Sequence, residues 1–368
     1  MEFRTFTVAD LESALQSKDF WLTDTLPITK QKALSFCHNP RAEKDDPVLW
    51  VAYEHNQVVG YLGVLPDKIF LDNAAHKVGW LTGWWVDPFL ATKGVGAVLL
   101  YKALNTYGEG LGVSGGSKEV RKILHASQRF MDLTPLKGLE IRFRFNAAAS
   151  ILREFPATKI FRVGFRVADV ILDEIVNLRG FFWERNNKVC QRLSFEYVSS
   201  IDEETGRFIE RHHQLDLTRK GKADLTWIMT YPWIVSAPQK DSASRRYFFS
   251  SISARFLYLG VKVFEQNHGL IGFLMLSVRN ERMRVVYSHF ENQHAPSIAA
   301  AAVYHALAMD VSTLILYDEQ LVRSFSGLRC PCWSTKSISR GFFLSKAFAS
   351  LPVADCRLQG GDGDFAFY

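Results

Sequence analysis

The residues best suited to chemistry lie between positions 80 and 96, where an apolar segment leads through a proline to a glycine-containing turn. The segment reads Trp-Leu-Thr-Gly-Trp-Trp-Val-Asp-Pro-Phe-Leu-Ala-Thr-Lys-Gly-Val-Gly. Pro88 cannot donate a ladder hydrogen bond, so it ends a strand. The apolar run over residues 97–107 predicts a helix that begins at Gly94 and Gly96. Because unpaired backbone N–H groups at a helix start bind phosphate where glycine lets it approach, the spacing predicts a pyrophosphate site.

Two common nucleotide-binding loops do not fit this turn. A Rossmann fingerprint requires a glycine three positions after Gly96, where the chain has Leu99. A Walker loop requires Gly-Lys-Ser or Gly-Lys-Thr, which the turn lacks. Gly83 lies inside the preceding strand, where glycine marks a bulge or a close backbone approach, and Asp87 is predicted to cap the turn. The pattern therefore indicates another kind of anion site, next to an irregular strand.

Length and composition indicate a globular chain of two domains. Its 368 residues, of which 48% are apolar and 13% aromatic, can form full cores and exclude a disordered protein. The net charge of +6 is spread along the chain, which favours ordinary solvated surfaces and makes a nucleic-acid partner unexpected.

Cysteine usage and hydropathy predict the compartment. The five cysteines are scattered and odd in number, which favours a reducing environment over a disulfide framework. Cys330-Pro-Cys332 is too sparse for a zinc site, so no metal is expected. No signal pattern is present, and the most apolar window, residues 297–317, contains His305 and Asp310. We therefore expect a soluble, cytoplasmic protein without a membrane span; the sequence does not determine its oligomeric state.

One pattern of elements occurs twice along the chain. Residues 53–62 and 265–274 each read as a strand, a polar turn and a return strand, with Gly60 and Gly272 at the same place. The elements before this pair of strands also correspond: strands at residues 3–7 and 195–198 are followed by helices at 11–18 and 203–213, which Asp10 and Asp202 cap. After it, strands at 77–86 and 283–290 are followed by helices at 96–107 and 295–309. The simplest account is two copies of one α/β unit.

The two copies define the predicted domains. We place the first over residues 1–187 and the second over residues 188–368. The apolar stretch 160–187 is a packed connector, because it is not enriched in Gly, Ser or Pro. At residues 291–297 the second copy reads Glu-Asn-Gln-His-Ala-Pro-Ser and has no glycine turn. We therefore expect the second copy to bind no cofactor.

The turn at residues 91–96 is similar to the Arg/Gln-x-x-Gly-x-Gly/Ala loop with which the GNAT acyltransferase family binds coenzyme A. Ala91 stands at the first position, which removes a side-chain phosphate contact but leaves the backbone donors. The resemblance implies acetyl-CoA as cofactor and an α/β (α+β) fold of two tandem GNAT-like domains, each a mixed, mostly antiparallel sheet flanked by helices. In that family the strand before the loop splays from its neighbour, and its backbone N–H polarises the thioester carbonyl. The implied cofactor-binding residues are Trp85, Val86, Ala91, Thr92, Lys93, Gly94, Val95, Gly96 and Ala97.

The resemblance also implies a general acid on the next helix, predicted at residues 117–129 after a strand at 111–114. In the family a tyrosine there protonates the departing coenzyme A thiolate. Aligned on Phe130, this chain has His125 at that position. A charged imidazole is a competent acid near neutral pH, so His125 is the predicted catalytic acid. A partly exposed helix histidine without a catalytic role is the alternative.

The general base that deprotonates the attacking amine stays open at the level of sequence. Asp67, Asp72 and His76 precede the central strand and are candidates, although each also suits a loop. The aromatic side chains of the central strand suit either sugar stacking or a core, and they are Trp80, Trp84 and Trp85.

Two segments of the C-terminal half are distinctive. Residues 224–233 and 245–247 are rich in aromatic and basic side chains, which suit either a cleft between domains or an aromatic core under a loop. The chain ends in Gly-Gly-Asp-Gly-Asp-Phe-Ala-Phe-Tyr, which lacks the EF-hand pattern and predicts a turn before a last strand.

The function that these features indicate is an acetyl-CoA-dependent N-acyltransferase, in which a primary amine attacks the thioester directly. With two tandem copies, one of them degenerate, the chain resembles acetyltransferases of bacterial polysaccharide and nucleotide-sugar biosynthesis. This resemblance implies a small-molecule acceptor whose amine belongs to an amino sugar or a nucleotide-sugar. Two alternatives stay open. A Fem-type aminoacyl or peptidyl transferase would use charged tRNA, and a non-catalytic coenzyme A-binding or scaffold protein would explain the loss of both the family Arg/Gln and the family Tyr.

Overall fold

The computed structural model describes residues 1–90, 93–108, 110–144, 162–237, 245–266 and 269–368. These residues form two compact units. The first unit contains residues 1–136, 199–256 and 340–368, and the second contains residues 137–198 and 257–339. A seven-stranded sheet forms the centre of each unit within the described residues.

Runs of consecutive strands are separated by helices along the chain, as in folds that pack helices on mostly antiparallel sheets. The elements of the N-terminal part are β1 (Glu2–Thr7), α1 (Val8–Gln16), α2 (Lys30–Cys37), β2 (Pro47–Glu54), β3 (Gln57–Leu71), β4 (Ala74–Val86), α3 (Val95–Thr106), β5 (Leu111–Ser114), α4 (Lys118–Ser127), β6 (Phe130–Asp132) and β7 (Leu136–Arg142). The remaining elements are α5 (Arg162–Asn186), β8 (Leu193–Val198), α6 (Glu203–His212), α7 (Lys222–Thr230), β9 (Val235–Ser236), β10 (Ile252–Ser253), β11 (Phe256–Glu265), β12 (Gly269–Arg279), β13 (Arg282–Phe290), α8 (Ala295–Ala308), β14 (Thr313–Leu316), α9 (Glu319–Phe325), β15 (Ser334–Arg340) and β16 (Phe342–Ser345). Within the described residues, every helix is too short or too polar to cross a membrane.

The first sheet has the strand order β1-β2-β3-β4-β5-β16-β6. Neighbouring strands are antiparallel except β4 and β5, which are parallel. Helix α3 covers one face, where its apolar side chains join the core of β2, β3 and β5. Gly60 allows this close approach, because a Cβ there would lie 3.2 Å from Val95 Cγ1.

The second sheet has the strand order β15-β7-β14-β13-β12-β11-β8. Strands β13 and β14 are parallel, whereas the pairs β11–β8, β12–β13 and β14–β7 are antiparallel. Helix α8 is buried along its alanine run, and a Cβ at Gly272 would overlap Ile298 of this helix. Gly60 and Gly272 therefore allow the same helix-to-sheet contact in both copies. The structure confirms the predicted fold class of two tandem units, each with a mixed, mostly antiparallel sheet flanked by helices.

Two strands pair outside the sequence copy that contains them. Strand β7 follows β6 along the chain but pairs with β14 in the second sheet. Strand β16 comes from the C-terminal part and pairs with both β5 and β6 in the first sheet. The compact units are therefore interleaved along the sequence. The boundary between residues 187 and 188 separates the two sequence copies, and it stays a prediction.

Local details differ from the sequence predictions at both termini. Thr7, and not Asp10, caps α1: Thr7 Oγ1 accepts from the Asp10 N–H at 3.2 Å, and the Asp10 carboxylate accepts from the Thr7 N–H at 2.8 Å. The helix starts earlier because this capping box uses both residues. At the C-terminus a 3-10 helix, Phe365–Phe367, replaces the predicted strand, since the Phe367 ring stacks on Trp233 at 4.2 Å. The aromatic residues near Trp233 thus belong to a core.

Candidate functional site

Strand β4 contains a bulge at Gly83. Tyr61 pairs with Trp85 and Gly63 pairs with Thr82, so two β4 residues lie opposite one β3 residue. Gly83 has a φ of +64°, a left-handed conformation that favours glycine. A Cβ at Gly83 would also lie 3.1 Å from the Tyr247 hydroxyl. The backbone therefore requires glycine here, as the sequence predicts for an irregular strand.

Strands β4 and β5 diverge beside this bulge. Within the described residues they pair at Gly79–Leu111 and Trp80–Gly112 and at no later position, although β4 continues to Val86. The backbone of β4 beyond Trp80 thus faces β5 without ladder hydrogen bonds among the described residues. Such a gap leaves backbone N–H and C=O groups for a ligand.

Helix α3 starts directly after β4 and its turn. Gly94 is the N-cap with a φ of +76°, and the first intrahelical bond runs from the Val98 N–H to the Gly94 C=O at 3.1 Å. The N–H groups of Val95, Gly96 and Ala97 precede that bond, so they can donate to an anion. Asp87 caps the turn as predicted, because its carboxylate accepts from the Phe89 N–H at 2.9 Å.

The side chains of the predicted cofactor loop fall into three groups. Lys93 is exposed, and Val86 and Trp85 are half-buried at the end of β4. Gly96 faces β4, where a Cβ would lie 3.4 Å from Trp84 Nε1. The remaining predicted positions, Ala91 and Thr92, lie outside the described residues.

Thr82 anchors a polar cluster on the face of the sheet opposite α3. Lys32 Nζ donates to Thr82 Oγ1 at 2.9 Å, and the Tyr368 hydroxyl lies 3.0 Å from the same oxygen. Lys32 Nζ also lies 4.2 Å from the centre of the Trp233 ring. Burial lowers the pKa of Lys32 to about 7, although the nearby Asp364 opposes this shift. Lys32 is therefore a buried amine whose proton is loosely held.

Asp364 connects this cluster to β5. The Ser114 hydroxyl donates to Asp364 Oδ1 at 2.5 Å. Gly363 has a φ of +74°, and a Cβ there would lie 2.6 Å from Ser114 Oγ. Burial raises the pKa of Asp364 from its ordinary value, although the Ser114 and nearby Thr82 hydroxyls act to lower it. The C-terminal segment thus places a carboxylate between the diverging strands.

The three sequence candidates for the general base lie elsewhere. Asp67 accepts from Arg41 Nη1 and Lys220 Nζ, each at 2.7 Å. Burial favours the protonated form of Asp67, but the Lys220 and Arg41 cations outweigh it and lower the pKa. Asp72 lies in the turn between β3 and β4, and His76 is near the N-terminal end of β4. Asp67 therefore belongs to a structural ion pair. At about 3.3 Å per strand residue, His76 is about 23 Å from Gly83.

His125 lies in the last turn of α4 and is 59% exposed in its side chain. Its Nδ1 is 3.7 Å from the Asp132 carboxylate, and its ring contacts Phe343 edge-on at 5.7 Å. Among the described residues these side-chain contacts do not include β4 or the start of α3. The acid role of His125 stays a prediction.

Sequence reasoning missed the polar cluster. Thr82 and Tyr368 are 286 residues apart, and Ser114 and Asp364 are 250 residues apart. No local pattern joins positions so far apart. The one available signal was the Gly-Gly-Asp-Gly-Asp ending, whose glycines indicated a backbone with unusual φ values or a close approach.

Residues 14–132 match the model of the acetyltransferase (GNAT) family. The match runs from the end of α1 to β6, so it includes the bulge, the diverging strands and the start of α3. This part of the chain is therefore similar to GNAT acyltransferases, a family that binds coenzyme A in the form of acetyl-CoA. A comparison with curated protein sequences gives no match.

Three solved structures align with the chain. A probable N-acyltransferase from Enterococcus faecalis, a conserved protein of unknown function, has a TM-score of 0.50 and 9% identity, over 93% of this chain and 72% of its own. A GCN5-related N-acetyltransferase from Anabaena variabilis has a TM-score of 0.47 and 11% identity, over 93% and 72%. N-myristoyltransferase from Saccharomyces cerevisiae, with bound myristoyl-CoA, has a TM-score of 0.49 and 8% identity, over 93% and 82%. The first of these shows a shared fold.

Proposed function

We propose that the first unit transfers an acetyl group from acetyl-CoA to a primary amine, which attacks the thioester directly. The observation that carries this proposal is the succession of three features in one strand, turn and helix. Gly83 makes the bulge, β4 and β5 diverge beside it, and α3 starts at the left-handed Gly94. A thioester in the gap would lie along the free edge of β4, with its pyrophosphate at the start of α3.

The cofactor contacts in this proposal are mainly backbone contacts. Val95, Gly96 and Ala97 offer N–H groups, and Lys93 offers an exposed cation. Trp85 and Val86 lie at the end of β4. Because the backbone supplies the donors, Ala91 in place of the family's Arg or Gln weakens the site without removing it.

An amino-sugar or nucleotide-sugar acceptor is supported by an aromatic surface next to the bulge. Measured between ring centres, Trp85 lies 5.9 Å from Phe248 and 5.4 Å from Tyr61, which is fully buried. Phe248 is 68% exposed. Flat apolar rings of this kind stack on the faces of sugars and bases. In this proposal His125 is the acid that protonates the departing thiolate.

The test compares two glycines that have the same backbone strain. Gly94 and Gly108 lie at opposite ends of α3, both have positive φ, and a Cβ at either would meet no atom within 4 Å. Alanine at each therefore destabilises the fold by the same amount, about 1–2 kcal/mol. Gly94→Ala should weaken coenzyme A binding at least about tenfold, a loss of about 1.4 kcal/mol, whereas Gly108→Ala should not.

Binding is measured by calorimetry with acetyl-CoA, and transfer by release of free thiol with glucosamine as acceptor. Equal affinities in Gly94→Ala, Gly108→Ala and the wild type would reject the proposed cofactor site. Binding of acetyl-CoA without any transfer would instead favour a non-catalytic coenzyme A-binding protein.

A further inference from the structure

We propose that Ser114 and Asp364 form a proton relay that deprotonates the acceptor amine. This inference rests on the proposed acyl transfer and identifies its general base. Ser114 Oγ accepts a proton from the acceptor ammonium while its own proton passes to Asp364 Oδ1. Ser114 would touch the substrate, and Asp364 would act through Ser114.

The strand geometry places Ser114 at the gap. Trp80 and Gly112 form the last pair between β4 and β5. Because side chains alternate along a strand, Thr82 and Ser114 lie two residues further on the same face. Thr82 and Ser114 therefore flank the point where the strands separate, on the face opposite α3.

Ser114 and Asp364 differ in their exposure to solvent, and this difference assigns each its role in the relay. Ser114 is half-buried, whereas Asp364 is only 7% exposed. An acceptor in the gap can therefore reach the Ser114 hydroxyl, and the carboxylate lies 2.5 Å behind it. The close approach of the C-terminal segment to Ser114 requires glycine at position 363, because a Cβ there would overlap the Ser114 side chain.

Asp364 differs from the buried carboxylate of Asp67 in its partners. Asp67 is held by Arg41 and Lys220, so it stays ionised and cannot accept a proton near neutral pH. Asp364 accepts a hydrogen bond from the Ser114 hydroxyl and has no salt bridge among the described residues. Burial raises its pKa, which brings it toward the range of a general base.

Asp362 supplies a matched control from the same segment. It is fully buried, whereas Asp364 is 7% exposed, and burial raises the pKa of Asp362 to about 7. Its carboxylate accepts from Thr218 Oγ1 at 2.6 Å and from the Gln359 N–H at 2.8 Å. Asp362 is thus a comparable buried carboxyl group whose hydrogen bonds, among the described residues, do not involve β4 or β5.

The proton balance of the step is complete. The acceptor ammonium loses one proton through Ser114 to Asp364, and the neutral amine attacks the thioester carbonyl carbon. The C–N bond forms as the C–S bond breaks, and the sulfur takes the electron pair. The nitrogen loses its second proton to the thiolate, through a general acid or water. Free coenzyme A and the amide leave, and Asp364 returns its proton to solvent.

The experiment uses acetyl-CoA with two amines that differ in protonation. Benzylamine is mostly an ammonium at neutral pH, whereas hydroxylamine is mostly neutral and needs no base. Asp364→Asn and Ser114→Ala should lower kcat/KM for benzylamine by a factor on the order of 10² to 10³. The loss with hydroxylamine should stay within about threefold, because that amine arrives deprotonated. Asp362→Asn should match the wild type with both amines.

The pH profile for benzylamine is the second readout. The relay works when Asp364 is ionised, so wild-type activity should rise with pH through the raised pKa of Asp364, and Asp364→Asn should lose that rise. Among the described residues, the titratable groups that interact with Asp364 include Lys32, Arg340 and Tyr247. A rise that persists in Asp364→Asn but disappears in Lys32→Met would overturn the relay and assign the proton to Lys32.

The stability of the unliganded protein gives a readout without substrate. A carboxyl whose folded-state pKa is raised contributes stability at low pH that is lost as pH rises through that pKa. Asp364→Asn should therefore raise the Tm above neutral pH, whereas a purely structural carboxylate would show the reverse. A lowered Tm in Asp364→Asn would overturn the assignment.

The outcomes separate this inference from the proposed function. If the wild type does not bind acetyl-CoA, the proposed function fails and the relay fails with it. If acetyl-CoA binds but neither amine is acetylated, or if both amines lose equally in Asp364→Asn, the relay fails and the cofactor site stands.

Discussion

Buried charges in the first unit differ in what compensates them. The carboxylate of Asp67 meets two cations, whereas Lys32 and Asp364 meet hydroxyl groups and aromatic rings. A charge without an opposite partner titrates closer to neutrality, because burial penalises its ionised form. Such groups are typical of functional sites, where protons must move. This contrast is why we place the proposed proton relay at the Thr82 cluster.

Replacing Lys32 by Met should stabilise the protein. The pKa of Lys32 is about 7 in the folded protein, and its ordinary value is 10.5. Between pH 7 and pH 10.5 the unfolded chain therefore binds the proton more strongly than the folded protein, so the free energy of unfolding rises with pH. Lys32→Met keeps the contacts with Trp233 and removes the buried amine. We expect a Tm several degrees higher at pH 7 and a flatter dependence of Tm on pH above 7.

Thermal unfolding at a series of pH values checks this expectation. Lys30→Met is the control, because Lys30 lies on the same helix and is exposed. If the Tm of wild type and of Lys32→Met changed equally with pH, Lys32 would keep its proton in the folded protein, and the prediction would be wrong.

His125→Ala tests the predicted acid. If the imidazolium protonates the thiolate, turnover should fall by a factor on the order of 10² to 10⁴ while acetyl-CoA affinity stays unchanged. The pH profile should lose its alkaline limb, because an acid must carry its proton to act. Lys122→Ala, an exposed change on the same helix, is the control. Turnover within about threefold of wild type, far less than removal of an acid causes, would make His125 a surface residue.

At the scale of elements, the two copies differ at the start of one helix. Helix α3 begins at a left-handed glycine, whereas α8 begins after a 3-10 turn and has Pro296 in its first turn. Proline lacks an N–H group, so α8 offers fewer donors. The Glu265 carboxylate lies 3.5 Å from His294 Nδ1 and accepts from Ser297 Oγ at 3.4 Å. A carboxylate at that position would repel a pyrophosphate.

Changes at the start of α8 should therefore leave cofactor binding unaltered. We expect His294→Ala to bind acetyl-CoA with wild-type affinity, and calorimetry to give one site per chain. Gly94→Ala is the matched change at the start of α3, and it should weaken binding. Two equivalent sites per chain in the wild type would contradict the expectation that the second copy binds no cofactor.

At the scale of the whole chain, each unit is assembled from separated segments. Within the first unit, residues 199–256 are joined to the N-terminal segment by a buried network of charges. Arg41 donates to Asp67 at 2.7 Å and to Asp224 at 2.5 Å, and Lys220 donates to Asp67. The Trp80 indole completes the network by donating to Asp67 at 2.9 Å. This network links β3 and β4 to α7.

Asp67→Asn should destabilise the protein strongly, because it leaves Arg41 and Lys220 partly uncompensated in the interior. Removal of one partner of a buried ion pair costs about 3–5 kcal/mol. Denaturant unfolding measures the loss, and Glu203→Gln is the control, since Glu203 pairs with Lys222 at the exposed surface. Equal losses in both variants would show that the network contributes no more than a surface pair.

Much of the secondary structure of the first unit could be predicted from the sequence, because it depends on local chemistry. The proline at position 88, the glycines at 83 and 94, and the apolar runs between them predict a strand with an irregularity, a turn and a helix, and the structure has all three. The correspondence of Gly60 and Gly272 predicts the two copies, because both glycines meet the same need for close helix packing. Hydrophobic period and permitted φ are properties of neighbouring residues, so a sequence displays them directly.

Only the tertiary structure decided which distant residues meet. The exchange of β7 and β16 between sheets has no local signal, since either strand could pair with several edges. The Thr82 cluster depends on that arrangement, because its members come from α2, β4, β5 and the C-terminal segment. The general base candidates chosen by proximity in sequence are occupied or remote for the same reason. Long-range contacts are set by the packing of whole elements, and packing is a property of the folded chain and not of any short stretch of it.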